Sequence, residues 1–479
     1  MSGSSKHAAG FAAVAAAVAA AAAVLAGGCA HHAVNAPLER VDPAAGYRLQ
    51  NLAPRASGDR LFVILTFSGG GTRASALAYG VLKELAGCEL PAEGGGTTTL
   101  LDEVDVISSV SGGSFTAAYY ALFDEERLFS DYEEVFLRKN VQGALVRQLF
   151  LPWNWVRLAS PHWDRIDLAA AWYDRNVFDG KTFDALIEEA ERPYILMNAT
   201  DMGQGNRFEF TQDQFDYLCS DLGPYPVARG VAASSAFPGL LTSITLHNHA
   251  NRCGFRAPTA LVNALEDRED NPRRYMIASE LVSYLQESRP YLHLLDGGVA
   301  DNIGLRGPYY ALTSNDSPWS LVTKVANQKI GRIVVIVVNA KKEGVDTIDQ
   351  RHNAPNLLRT LQTAASTPMA HYSFDTVQLL EEYFYRQNQQ NQLRRDLAQA
   401  CPDCRMLEAP GADVSYSDFE VSFERVEDET LRKYLQGLPT SFKLDDEAVD
   451  ALIEVGPTVL GADEDFQALI EELGGRCGG

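Results

Sequence analysis

The sequence predicts an α/β protein built on a mainly parallel central sheet, and two observations carry that expectation. The first is Leu61-Phe62-Val63-Ile64-Leu65-Thr66-Phe67, a continuous apolar run of strand length. A parallel strand reads this way because other layers cover both of its faces. The second is recurrence. Short apolar runs alternate with stretches of helical periodicity, and glycine clusters mark the joints between them.

The elements follow in order. After Leu61–Phe67 the cluster Ser68-Gly69-Gly70-Gly71-Thr72-Arg73 ends the strand, and a helix is expected from about Ser75 to Leu85. Val104-Asp105-Val106-Ile107 is the next short strand, broken at Ser111-Gly112-Gly113 and followed by a helix to about Phe123. Further strands are expected at Tyr194–Asn198, Tyr291–Leu295 and Arg332–Val338. Residues 125–190 and 247–290 read as insertions, the first carrying Trp153, Trp155, Trp163 and Trp172. Residues 59–340 then form one catalytic-sized domain. Residues 341–479 read as an α+β extension that packs on it and closes one edge of the sheet.

With 479 residues the chain exceeds one small core. Its 63 acidic against 41 basic side chains give a formal charge of −22, spread along the length. Such a surface repels phosphate backbones, which argues against a nucleic-acid partner. It also disfavours long-range attraction to anionic lipid. Membrane contact therefore has to come from apolar or covalently attached groups.

The N-terminus reads as an export signal over residues 1–28. Lys6 precedes an apolar run from Phe11 to Ala26, too alanine-rich for a confident membrane span. Leu25-Ala26-Gly27-Gly28-Cys29 resembles a bacterial lipobox, with its leucine one place further from the cysteine than usual. Cys29 is then the lipidated residue at the head of a spacer, 29–58, in an exported lipoprotein of the outer membrane or periplasm; an ordinary cleaved signal is the alternative. Six further cysteines permit disulfides without fixing their pairing. Cys401-Pro402-Asp403-Cys404 has the spacing of a local disulfide or of two free thiols.

Three clusters bear on chemistry. Ser109-Val110-Ser111-Gly112-Gly113 stands where a strand turns into a helix, the setting that exposes a nucleophilic serine above a sheet. Ser109 occupies the position usually held by glycine, and a simple turn serine is the plainer reading. The triple glycine 69–71 lets backbone N–H groups approach an oxygen, as a phosphate loop or as an oxyanion hole. No Gly-Lys-Ser/Thr ending follows, and the downstream serine turn favours the oxyanion reading. Arg73 is expected to hold that loop, to meet a substrate phosphate, or to pair at the surface. Asp296-Gly297-Gly298 closes the strand Tyr291–Leu295, at the sheet edge where α/β sites form; a capping turn is the alternative. No histidine lies in a compact triad-like motif, and His293 alternates to the other face from Asp296.

Taken together, the glycine loop with its arginine, the serine turn within about fifty residues and the distant Asp-Gly-Gly resemble the patatin-like phospholipases. Asn198-Ala199-Thr200-Asp201 with Phe208-Glu209-Phe210, and Ala232-Ala233-Ser234-Ser235-Ala236-Phe237-Pro238, are similar as well. The resemblance spans roughly residues 60–340. It implies a three-layer fold and a Ser–Asp dyad, with Ser111 as nucleophile and Asp296 as general base. Gly69, Gly70, Gly71 and Gly112 would form the oxyanion hole, supported by Arg73, Gly113, Gly297 and Gly298. It further implies a lipid substrate cut through an acyl-enzyme, with no metal or cofactor. Membrane contact would come from the Cys29 anchor and from Trp153, Trp155 and Trp163, although tryptophans in a helical stretch are more often core. A non-catalytic lipid-binding lipoprotein, and an esterase using a triad with His352 or His371, stand as alternatives.

Overall fold

Leu61–Phe67 (β1) lies at the centre of the molecule, its residues buried from Phe62 onward. Helix Thr72–Ala86 (α1) follows, then strand Val104–Val110 (β2) and helix Gly112–Leu122 (α2). The first insertion is helical and includes Val141–Leu149 (α3) and Pro152–Leu158 (α4). The chain re-enters the sheet at Tyr194–Asp201 (β3), forms helix Val227–Ser234 (α5) and adds Ile244–His247 (β4), Tyr291–Asp296 (β5) and Arg332–Asn339 (β6). Leu357–Ala400 (α6), Ser415–Ser422 (β7) and Asp446–Ala462 (α7) complete the frame. The computed structural model describes residues 34–52, 60–92, 95–188, 193–239, 241–326, 330–341, 352, 354–401 and 414–478. The export segment with Cys29, and Cys404, lie outside the described residues.

The central sheet has eight strands, in the order β7-β6-β1-β2-β3-β5-β4, with Arg207–Glu209 paired to β3. From β7 to β3 every pairing is parallel. The expected strands are all present, and most run past their apolar cores. Ser108, Ser109, Asn198 and Thr200 are buried strand residues whose polar groups are hydrogen-bonded, a condition that apolarity does not flag. One expectation is corrected here. β5 runs antiparallel to both β3 and β4. Asp296 therefore does not sit at the outer rim as in a parallel strand; it arrives by running inward, opposite Ala199.

Beyond residue 340 the chain is woven into the same sheet. β7 pairs with β6 over its whole length, from Arg332 opposite Ser415 to Asn339 opposite Ser422. α7 lies on α1 so closely that a Cβ at Gly80 would overlap the Ile453 carbonyl. Disulfides join Cys88 to Cys477, across 389 positions, and Cys219 to Cys253. Cys401 is also disulfide-bonded.

Candidate active site

The serine turn is strained. β2 ends at Val110 and α2 begins at Gly112, so one residue, Ser111, makes the whole reversal. Its φ of 50° and ψ of −118° lie in a region that side chains rarely adopt. A chain of hydroxyls holds it there. Ser234 Oγ accepts the Ser111 N–H at 2.9 Å and bonds Ser114 Oγ at 2.9 Å; Ser114 in turn donates to Ser109 Oγ at 3.0 Å. Ser109, the departure from the usual glycine, thus has its own partners and is buried without strain. Nothing wider than hydrogen is tolerated at Gly112, where a Cβ would overlap the Gly71 carbonyl, and Gly113 packs against Phe67 and Ser68.

Opposite Ser111 stands Asp296, 2% exposed. The register explains the meeting. Val110 pairs with Asn198 and Asp296 pairs with Ala199, so the serine and the aspartate lie at one height on either side of β3. Asp296 accepts a hydrogen bond from the Gly298 N–H at 2.8 Å, and the Ser111 hydroxyl lies near enough to favour its ionised form. Burial dominates its titration: desolvation pushes the carboxyl up to about 6, against the opposing pull of those two donors. The backbone is fixed equally well. The Asp296 N–H donates to the Ala236 carbonyl, the Gly297 N–H to the Ser234 carbonyl, and Thr200 Oγ1 donates to the Asp296 carbonyl at 2.8 Å.

The glycine loop folds over this pair. Gly70 and Gly71 have φ of 151° and 64°. Among the described residues no acceptor takes the N–H groups of Gly70, Gly71 or Gly112, which leaves three donors free. The expectation for Gly69 is overturned. Its N–H already donates to the Asn302 carbonyl at 2.9 Å, so it cannot also cradle an oxyanion. Asn302 was missed by the sequence reading, as was Ser234. Neither lies in a motif of recognisable spacing, although Ser234 falls in a segment whose family likeness had been noted.

Arg73 points away from any substrate. Its guanidinium is buried and donates to the Ala340 carbonyl at 3.0 Å, the Leu438 carbonyl at 2.6 Å and Thr440 Oγ1 at 3.1 Å. Desolvation with no carboxylate beside it lowers its pKa to about 10. Neither a surface ion pair nor a phosphate contact survives; the arginine ties the start of α1 to residues 438–440. The next residue, Ser441, bridges Gly71 and accepts the Thr72 N–H at 2.9 Å. Residues far outside the recognised motifs therefore shape the glycine loop.

His352 and His371 are exposed and hydrogen-bond neither Ser111 nor Asp296, and His293 bonds Thr245 on the face away from Asp296. Ser111 and Asp296 are both buried. Met369 of α6 lies against Gly298, and a cavity of about 240 Å³ opens elsewhere, at the carboxyl ends of β6 and β7. The tryptophans divide. Trp153 and Trp155 are exposed, Trp172 is core, and Trp163 is half-buried beneath Arg157, which corrects its assignment to an exposed surface.

A family model described as patatin-like phospholipase matches residues 65–309. Among solved structures the chain is similar to human GIVD cytosolic phospholipase A2, at 13% identity and a TM-score of 0.42, over 87% of this chain and 62% of that one. The same human enzyme in complex with methyl gamma-linolenyl fluorophosphonate matches at 14% identity and a TM-score of 0.37, over 89% and 61%. The chain thus spans about six-tenths of the length of these structures. No curated protein sequence matches it.

Proposed function

The chain belongs to the patatin-like phospholipase family, and from that premise we propose that it hydrolyses fatty-acyl esters of phospholipids or related lipids through a Ser111–Asp296 dyad. Ser111 Oγ attacks the ester carbonyl while Asp296 takes its proton. The N–H groups of Gly70, Gly71 and Gly112 receive the developing oxyanion at the N-terminus of α2. Collapse breaks the ester bond, and the departing alcohol oxygen takes the proton from Asp296. Water then enters, gives a proton to Asp296 and attacks the acyl-enzyme; fatty acid leaves and Ser111 regains its proton.

The observation that supports this reading most is the nearness of the Ser111 hydroxyl to a buried carboxyl that desolvation raises to about 6. An ordinary aspartate, near 3.9, is too weak a base for a serine hydroxyl, whereas one raised by about two units is stronger and still ionised at neutral pH. Burial does here what a histidine does in a triad. The intact cradle and dyad also weigh against a non-catalytic scaffold.

The same reading places the protein outside the cytoplasm as a membrane-anchored lipoprotein acylated at Cys29, in the outer membrane or periplasm. The lipobox-like sequence and the two disulfides support that location. Among the described residues no helix is long and apolar enough to cross a membrane.

Labelling with a fluorophosphonate probe tests the nucleophile. The wild type takes up label, and Ser111→Ala does not. Equal labelling of the two proteins rejects Ser111.

A further inference from the structure

We propose that α3 and α4 form a docking surface for anionic phospholipid head groups, adjoining the loop that serves the dyad. The proposal rests on the lipid-hydrolase reading only for the identity of the surface that is met.

The local charge is the first observation. About one residue in eight of this chain is acidic, yet from Val135 to Trp163 there is no Asp or Glu at all. Four cations fall in that stretch. Arg138 is neutralised by Glu133 and Asp450, and Lys139 stands over the Trp172 ring. Arg147 and Arg157 are exposed and have no carboxylate partner among the described residues. A basic stretch thus interrupts an otherwise acidic chain.

Apolar exposure coincides with it. Val146 (48%), Phe150 (71%), Trp153 (61%) and Trp155 (59%) lie within ten positions. They account for four of the fifteen large exposed apolar side chains among the described residues, gathered in one short stretch of the chain. Val146 and Phe150 lie one helical turn apart. Pro152 opens α4, and the Trp155 indole N–H donates to the Leu149 carbonyl at 2.8 Å, which fixes that ring against the end of α3. Aromatic rings flanked by arginines that have no carboxylate partner, one of them over the Trp163 ring, match a lipid–water boundary: the rings enter the acyl edge while the guanidinium groups meet phosphates. A second copy presenting the same face would set arginine against arginine with no acid between them.

Position relates the patch to the chemistry. At the start of α3 the Gln142 N–H donates to the Phe442 carbonyl at 3.1 Å. Phe442 packs on the rings of Phe115 and Phe136, and its neighbour Ser441 bridges Gly71. A single short segment therefore joins the patch to the oxyanion loop.

The test uses the full-length chain carrying Cys29→Ser, to remove the acyl anchor, and Ser111→Ala, to prevent lipid turnover. Sedimentation with vesicles of phosphatidylcholine plus phosphatidylglycerol, compared with phosphatidylcholine alone, should show at least tenfold tighter anionic binding at low salt. Trp153→Ala with Trp155→Ala should weaken that binding tenfold or more. Arg147→Gln with Arg157→Gln should erase the anionic preference and its salt dependence. In the Ser111 background both double variants should hydrolyse a short soluble ester as the parent does, which controls for folding. A parent inactive on every ester refutes the hydrolase reading and leaves the vesicle result standing. Should the tryptophan variant unfold, the arginine pair decides. Wild-type vesicle binding by the folded variants, or equal binding to the two vesicle types, overturns the proposal. So does concentration-dependent self-association that the tryptophan changes abolish without any vesicle binding.

Discussion

Ser111 and Asp296 come to one height in the sheet although β3 lies between the strands that carry them. They meet because the register sets both at the height of Asn198 and Ala199 and because β5 runs inward, antiparallel to its neighbour. The geometry and the burial of that carboxyl generate the following expectations.

Activity should follow the ionised form of Asp296. With a pKa of about 6, kcat/KM should fall tenfold per unit below that value and level off above it. A pH profile on a soluble ester checks this. A plateau extending below pH 5 would contradict the burial argument.

Stability should run the opposite way. A carboxyl whose folded pKa lies above its unfolded value near 3.8 binds more protons folded than unfolded, so its contribution is lost as pH rises from 4 through 6. The ionised group then costs on the order of 3 kcal/mol at neutral pH. Asp296→Asn should consequently be inactive yet more stable than wild type at pH 7.5, with the difference vanishing near pH 4. Denaturant titrations at the two pH values measure it.

Ser234 positions both partners at once, its hydroxyl holding the Ser111 N–H and its carbonyl the Gly297 N–H. Ser234→Ala removes only the first. The change should lower kcat about tenfold with little effect on KM, since the interaction sets the angle of attack and not the binding of lipid. Ser234→Thr, which keeps a hydroxyl, should recover part of the loss. An unchanged kcat in Ser234→Ala refutes the role.

Arg73 distinguishes two kinds of arginine. Because its donors go to Ala340, Leu438 and Thr440, Arg73→Gln should strand buried carbonyls, at about 2–4 kcal/mol, and depress turnover of neutral esters and phospholipids alike. A selective rise in KM for phospholipids would restore a phosphate-binding role.

The fold was legible where one physical rule dominates. Leu61–Phe67 and Arg332–Asn339 are buried on both faces, and their unbroken apolarity announces it. The two turns that carry Ser111 and Asp296 were legible because each needs small neighbours, written as Gly112-Gly113 and Gly297-Gly298. The direction of β5 was not legible, since Tyr291–Leu295 has the same composition whether its neighbour runs with it or against it. Nor was the commitment of Gly69, which depends on a backbone carbonyl 233 positions away, at Asn302. The partners of Arg73 escaped for a similar reason, although its supporting role was expected. Two of the three are main-chain oxygens, which carry no residue signature, and all come from segments without a recognisable motif.

That dependence on the distal third has a practical corollary for anyone trimming the gene. A fragment cut at the family boundary, residue 309, would discard Arg332–Asn339 and leave Leu61–Phe67 as the rim. One cut at 340 would bare Arg332–Asn339 as an unprotected border of hydrogen-bonding groups on a valine- and isoleucine-rich ribbon. Either product invites strand-to-strand aggregation and loses the tether on its catalytic loop. A minimal soluble version has to retain the polypeptide through Cys477.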